Sequence, residues 1–182
     1  MKRTLTLAVA CGLLATAAFA QTTRTPPTPQ SAPARTGATQ PPPSAQDFVN
    51  KVAISDMFEI QSSQLAPSKE PDSDTKPFAQ RMVADHQKTS RELKSLVEGG
   101  KVNATLPTAM DSDHQGMFDQ LKGKSGKDFD QSYDQIQVKA HQDAVALFEW
   151  YAKAGDDAEL KKWAARALPH LKQHLTMAQK LK

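Results

Sequence analysis

The sequence predicts an all-α protein: a four-helix bundle with a long connector between its second and third helices. Three observations carry this. Apolar residues recur at helical spacing in four separate stretches. No stretch of any length alternates apolar and polar residues as a half-buried strand does. Capping residues, glycines and prolines fall where each helical pattern starts or stops. About 135 residues take part, enough chain for one well-buried core.

The first helix begins near Ser44, where Asp47 three residues on completes a pattern like a capping box. Phe48, Val49, Val52, Ala53, Met57 and Ile60 form its stripe, and it ends near Ala66 before Pro67. The second starts near Asp74, with Pro77 tolerated in the first turn. Its stripe runs from Phe78 through Met82, Val83 and Leu93 to Val97, and Gly99-Gly100 stops it. Residues 101–127 are less regular. Ser112 to Lys122 carry a short helical pattern, and a connection of this length can run the height of a bundle. The third helix spans Lys127 to Ala154, with Phe129, Tyr133, Ile136, Ala140, Ala144, Leu147, Phe148 and Tyr151 along one face. Asp156 or Asp157 caps the fourth, whose stripe runs from Leu160 to Ala178. Pro169 inside it should cost one backbone bond and bend the helix.

The segments before the bundle have other compositions. Residues 1–20 read as a signal peptide: Lys2 and Arg3, an apolar run from Leu5 to Phe19, and the small-x-small end Ala18-Phe19-Ala20. The run is too short for a membrane span, and Ala8-Val9-Ala10 before Cys11 is a poor lipoprotein signal. Residues 21–45 hold seven of the twelve prolines and no aromatic or large aliphatic residue, so they read as a Pro-rich disordered tether. Residues 46–182 are the bundle domain. The expected product is exported to a periplasm with no transmembrane segment in its mature chain. Cys11 is the only cysteine and leaves with the signal, which removes disulfides, thiolate nucleophiles and thiolate metal sites together. Without Lys2 and Arg3, 21 basic residues face 20 acidic ones, a net charge of +1 that offers nothing to nucleic acid.

Each predicted helix carries one ionisable residue on or beside its apolar stripe: Glu59, His86, His141 and His174. Each lies within roughly a turn or two of one height if the helices pack side by side. His170 shares a face with His174, four residues on, and is a possible fifth member. A buried polar group needs a partner, and three readings follow. The cluster is a hydrogen-bonded structural layer; or a histidine–carboxylate site for zinc, copper or iron; or an acid–base site. His114 is expected at the surface, and Asp85, about 100° around the helix from His86, is expected to be a surface or supporting residue and not a ligand. Gln137 shares the shoulder of the third helix with His141. No G-x-S-x-G, P-loop, H-E-x-x-H or dinucleotide fingerprint is present. Nor is any Glu-x-x-His, two of which a bundle-type di-iron centre needs.

The stretches DMFEI with Glu59, PFAQRMVADH ending in Asp85-His86, FDQSYDQIQVKAHQDAVALFEWYA, and LPHLKQHL with Pro169 and His174 resemble the domain of unknown function 4142 family. The resemblance runs from about Asp47 to Lys182. It implies a ferritin-like helical bundle and an exported location, and it implies no reaction. An outer-membrane label often attached to such proteins finds no support in these residues, because a membrane barrel needs strands. The reading that results is an exported, non-catalytic binding or envelope-stress protein whose Glu/His cluster is a candidate for a transition metal. Its rivals are an interaction module for envelope proteins, working through the connector or the tether, and a metal-dependent oxidoreductase or hydrolase.

Overall fold

The computed structural model describes residues 44–69 and 71–181. The expected signal peptide, and all of the expected tether but Ser44 and Ala45, lie outside the described residues. Among them all regular structure is helical, in the order α1 Ala45–Leu65, a 3-10 turn Ala66–Ser68, α2 Thr75–Glu98, α3 Ser112–Lys122, α4 Gly126–Ala154 and α5 Ala158–Ala178. The all-α class is as the periodicity requires. The local signals also sit where they were expected. Ser44 Oγ accepts the Asp47 N–H at 3.1 Å, and Asp157 Oδ1 accepts the N–H groups of Glu159 and Leu160 at 2.9 and 2.8 Å. Gly100 ends α2 at φ 70°, a conformation that favours glycine. Helix α5 continues through Pro169.

Two apolar clusters set the directions of the helices. One joins Phe48 and Val52 of α1, Leu93 of α2, Phe148 and Tyr151 of α4, and Leu160 and Trp163 of α5. The other joins Phe58 of α1, Phe78 and Met82 of α2, Phe129 and Tyr133 of α4, and Ala178 of α5. Helices α1 and α5 therefore run from the first cluster to the second, and α2 and α4 run back. The connector closes this arrangement. Val102, just after α2, belongs to the first cluster, and Leu121 of α3 belongs to the second, so residues 99–125 travel the height of the core. Helix α3 packs on α1 on the way. The strongest packing is within two hairpins, α1 with α2 and α4 with α5; the pairs α1–α4 and α2–α5 touch less.

The first cluster contains four aromatic rings, Phe48, Phe148, Tyr151 and Trp163. Phe48 is fully buried and stacks on Tyr151 with ring centroids 3.9 Å apart, while Phe148 meets it edge-on at 5.1 Å. Phe48→Ala removes that stack and leaves a cavity. It should lower the unfolding free energy by about 3–5 kcal/mol, measured by urea denaturation.

A buried acidic group joins the start of α2 to the start of α4. The Asp72 N–H donates to Asp130 Oδ2 at 3.1 Å, and Thr75 Oγ1 donates to Asp134 Oδ1 at 3.4 Å. Burial and then the charges of Asp72 and Asp130 push Asp134 up to about 7. Unfolding returns it to the ordinary range near 4, so the folded state holds an extra proton between these values. Its contribution is favourable at acid pH and is lost as pH rises through about 7. Asp134→Asn should therefore gain stability over wild type at pH 8 and match it near pH 4, which thermal melts at the two pH values would show.

Candidate metal centre

Between the two apolar clusters lies a polar layer. His86 of α2, His141 of α4 and His174 of α5 are all at least 95 % buried. Their ring centroids stand 5.7 Å (His86–His141), 5.7 Å (His86–His174) and 5.4 Å (His141–His174) apart. One ring nitrogen from each falls within 4.8 Å of those of the other two.

The two nitrogens of every ring are used differently. His86 Nδ1 is hydrogen-bonded to Asp56 Oδ1 at 2.7 Å, His141 Nδ1 donates to the Gln137 carbonyl at 2.9 Å, and His174 Nε2 is bonded to Asp85 Oδ2 at 2.8 Å. The remaining nitrogens, His86 Nε2, His141 Nε2 and His174 Nδ1, are buried and have no partner. A carbonyl can only accept, so His141 carries its proton on Nδ1 and presents a lone pair on Nε2. A carboxylate partner fixes the other two rings in the same sense. Each imidazole is thus held on one side and keeps one buried nitrogen without a partner. This is the pattern by which proteins hold histidine ligands in one tautomer.

Charge around the layer is uneven. Burial lowers His141, and it lowers His174 to about 4, so both rings are neutral near pH 7. Burial also opposes charge on His86, but the hydrogen bond and charge of Asp56, helped by Glu59, outweigh it and raise its pKa. Burial raises Asp56 in turn. Burial works against the Asp85 carboxylate as well, but hydrogen bonds from His174 and Arg81 hold it below the ordinary range.

Three of the five expected site residues meet here, and two do not. Glu59 is buried, but its carboxylate turns to Gln137, whose Nε2 donates to Glu59 Oε2 at 2.6 Å, and it stands outside the imidazole group. Its charge still reaches His86 and His141. His170 also stands outside the group. It is exposed on α5, about 40° around the helix from His174 and one turn before it. His114 departs from expectation in the other direction. It is half-buried, with its Nδ1 2.7 Å from Asp111 Oδ1 and its ring against Phe58. Asp85 proves to be a support, reaching across to His174.

The residue that the sequence reading missed is Asp56. It is 3 % exposed, and Ser90 Oγ donates to its second oxygen at 3.1 Å. Its signal was present, since Val49, Val52, Ala53, Asp56 and Ile60 follow i, i+3, i+4, i+7, i+11 on one face. A carboxylate in that register has to find a buried partner. Gln137 is the other supporting residue, one turn before His141, holding Glu59 through its side chain and His141 through its carbonyl.

A cavity of about 1000 Å³ lies alongside. Its walls come from all five helices, and Asp56, His86 and His174 form part of its lining. His114 and His170 line it too.

Fold and site together define an all-helical protein with a buried, outwardly braced imidazole triad at the mid-height of its helices. The chain belongs to the domain of unknown function 4142 family (DUF4142), which matches residues 29–181. That match begins within the expected tether. No curated protein matches the chain in sequence. Two solved structures share the fold. The copper(II)-bound form of CopM is 17 % identical with a TM-score of 0.61, over 75 % of this chain and 94 % of that one. A DUF305 protein of Streptomyces coelicolor, described as secreted, is 13 % identical with a TM-score of 0.59, over 74 % and 90 %. Among the described residues no helix is long and apolar enough to cross a membrane.

The Glu59–Gln137 bond supports the layer independently of any ion. Gln137→Leu should cost about 1–3 kcal/mol by leaving a carboxylate oxygen unpaired in the core. The double variant Gln137→Leu/Glu59→Met should recover most of that loss in the same denaturation assay, because both unpaired groups are then gone.

Proposed function

We propose that this chain is an exported, metal-binding helical protein of the cell envelope, and that His86, His141 and His174 hold one late first-row transition ion. The observation that carries this is the division of labour in the rings: three outer nitrogens tied to Asp56, Gln137 and Asp85, three inner ones buried without partners and near one another. Among the described residues seven buried side-chain atoms lack a partner, and five of them belong to this layer with Glu59 and Gln137. A structural hydrogen-bond network would have paired them.

Copper and zinc fit the donors best, since neutral imidazole suits both and no thiolate is available. Imidazoles sharing one ion at about 2.0–2.1 Å stand roughly 3.4 Å apart, so the triad has to close by no more than about 1.5 Å. A divalent ion held by the three imidazoles would take the place of a proton on His86, beside the buried carboxyl groups of Asp56 and Glu59. The copper(II)-bound state of a protein with this fold supports copper as the first choice, with zinc next and iron third. Glu59 serves as a charge-balancing neighbour, and His170 as no more than a transient contact at the cavity wall. The two antiparallel hairpins and single long crossover are read as a ferritin-like bundle. Export rests on residues 1–20 and on the secreted fold neighbour. The role is binding, with sequestration of metal in the envelope as its purpose. The cavity that reaches the triad favours a second reading, a metal-dependent catalyst, which peroxide- and dioxygen-consumption assays on the loaded protein would expose.

Competition titration with Cu(II) and Zn(II) should find one ion per chain. His86→Ala and His141→Ala should abolish tight binding, Asp56→Ala should weaken it about 10–100-fold, and His170→Ala should leave it unchanged. Affinity should fall as pH drops, first as a proton competes for His86, whose pKa is raised, and last near pH 4 as one competes for His174. Wild-type affinity in the His86 and His141 variants would remove the proposal.

A further inference from the structure

We propose that Arg81 and Gln173 are positioning residues for the ion: with Asp85 they form a clasp across the seam between α2 and α5, and its opening frees His174 first, so that the clasp sets how fast the triad takes up and releases its ion. This rests on the metal-binding reading above and goes beyond it by naming the ligand that lets go and the residues that control it.

The three rings are braced at different depths. His86 leans on Asp56, whose side chain is 4 % exposed and is gripped again by Ser90 Oγ at 3.1 Å. His141 leans on a carbonyl of its own helix, that of the fully buried Gln137. Neither brace can let go without leaving a buried polar group unpaired, which incurs that group's full desolvation penalty. His174 is as buried as the other two, but its brace is not: the Asp85 side chain is 38 % exposed. Water competes for such a bond, so it opens at little cost.

Arg81 closes this weak point. Its Nε donates to Asp85 Oδ2 at 3.2 Å, the same oxygen that is bonded to His174 Nε2 at 2.8 Å. Its Nη2 donates to Gln173 Oε1 at 3.1 Å. One guanidinium on α2 therefore holds both the brace of His174 and the residue beside His174 on α5. A planar fork of donors is what lets a single side chain do this. The seam needs it, because α2 and α5 touch less than the two helices of either hairpin. None of these bonds uses His174 Nδ1, the nitrogen left for the ion. The clasp therefore holds with or without the ion, so its strength cancels from the affinity and remains in both rates.

The test follows the full chain with Co(II), whose visible bands report its imidazole ligands. Release is read on transfer to excess EDTA and capture on rapid mixing with the ion. Arg81→Ala should speed both by about three- to tenfold and keep the equilibrium affinity within about twofold of wild type, because it removes exposed bonds and no ligand. The visible bands of the loaded variant should match those of wild type. Arg81→Lys, an ammonium without the fork, should fall between wild type and Arg81→Ala. Gln173→Ala removes only the α5 half of the clasp, at an exposed position, and should move both rates the same way by less. Ser90→Ala, at the buried brace of His86, should leave capture as in wild type. Unchanged rates in Arg81→Ala, faster release without faster capture, or equal acceleration of capture in Ser90→Ala would each overturn the proposal. Failure of the wild-type chain to bind Co(II), Cu(II) or Zn(II) would sink the metal reading and this inference with it. Tight binding whose rates ignore Arg81 and Gln173 would sink this inference alone.

Discussion

Each of three buried imidazoles is held on one side by an acceptor and left open on the other. That asymmetry is the constraint around which the middle of this protein is organised. A neutral imidazole has one donor and one acceptor nitrogen, and burial removes the water that would satisfy both. Asp56, the Gln137 carbonyl and Asp85 each take one nitrogen of a ring. The rings cannot then turn to pair their inner nitrogens with anything else, so the inner faces converge without bonding. The cost is borne locally, and the aromatic stack of Phe48, Tyr151, Phe148 and Trp163 lies on one side of it as compensation.

The connector makes this convergence possible. By carrying the chain back along the core between Val102 and Leu121, it lets α2 and α4 run in the same direction. Their mid-points, near His86 and His141, then share a height with each other. The two tight hairpins add α1 and α5 at the same level. Each hairpin packs more closely within itself than against the other, and the cavity lies among all five helices, α3 included. One topological choice thus brings the three imidazoles to one height.

Carboxylates play three distinct parts in the structure. Asp56 and Asp85 orient rings, Glu59 is parked on Gln137 and supplies charge at a distance, and Asp130 and Asp134 crowd together at the far end. Burial and the charges of Asp72 and Asp130 push Asp134 up to about 7, and burial raises Asp130 as well. This pair sits apart from the triad in the second cluster's half of the molecule, so it is a stability feature of the helix junction.

Much of the helical architecture was legible in the sequence because it depends on local rules. Period 3.6 in the apolar residues, Ser44 and Asp157 at caps and Gly99-Gly100 at a stop place every long helix within a residue or two. The same periodicity put His86, His141 and His174 on buried faces and let their common height be anticipated. What it could not supply was rotation about each helix axis to better than a residue, since that depends on which neighbours pack and how the chain closes. A few tens of degrees decide that Asp56 reaches His86, that Glu59 turns to Gln137 and that His170 looks outward. The sequence by itself determined the class, the helices and the level of the polar layer, because these follow from local propensity and burial. Only the tertiary structure decided which nitrogens are tied and which are free, because hydrogen bonds between helices are made across the core and leave no period in the chain.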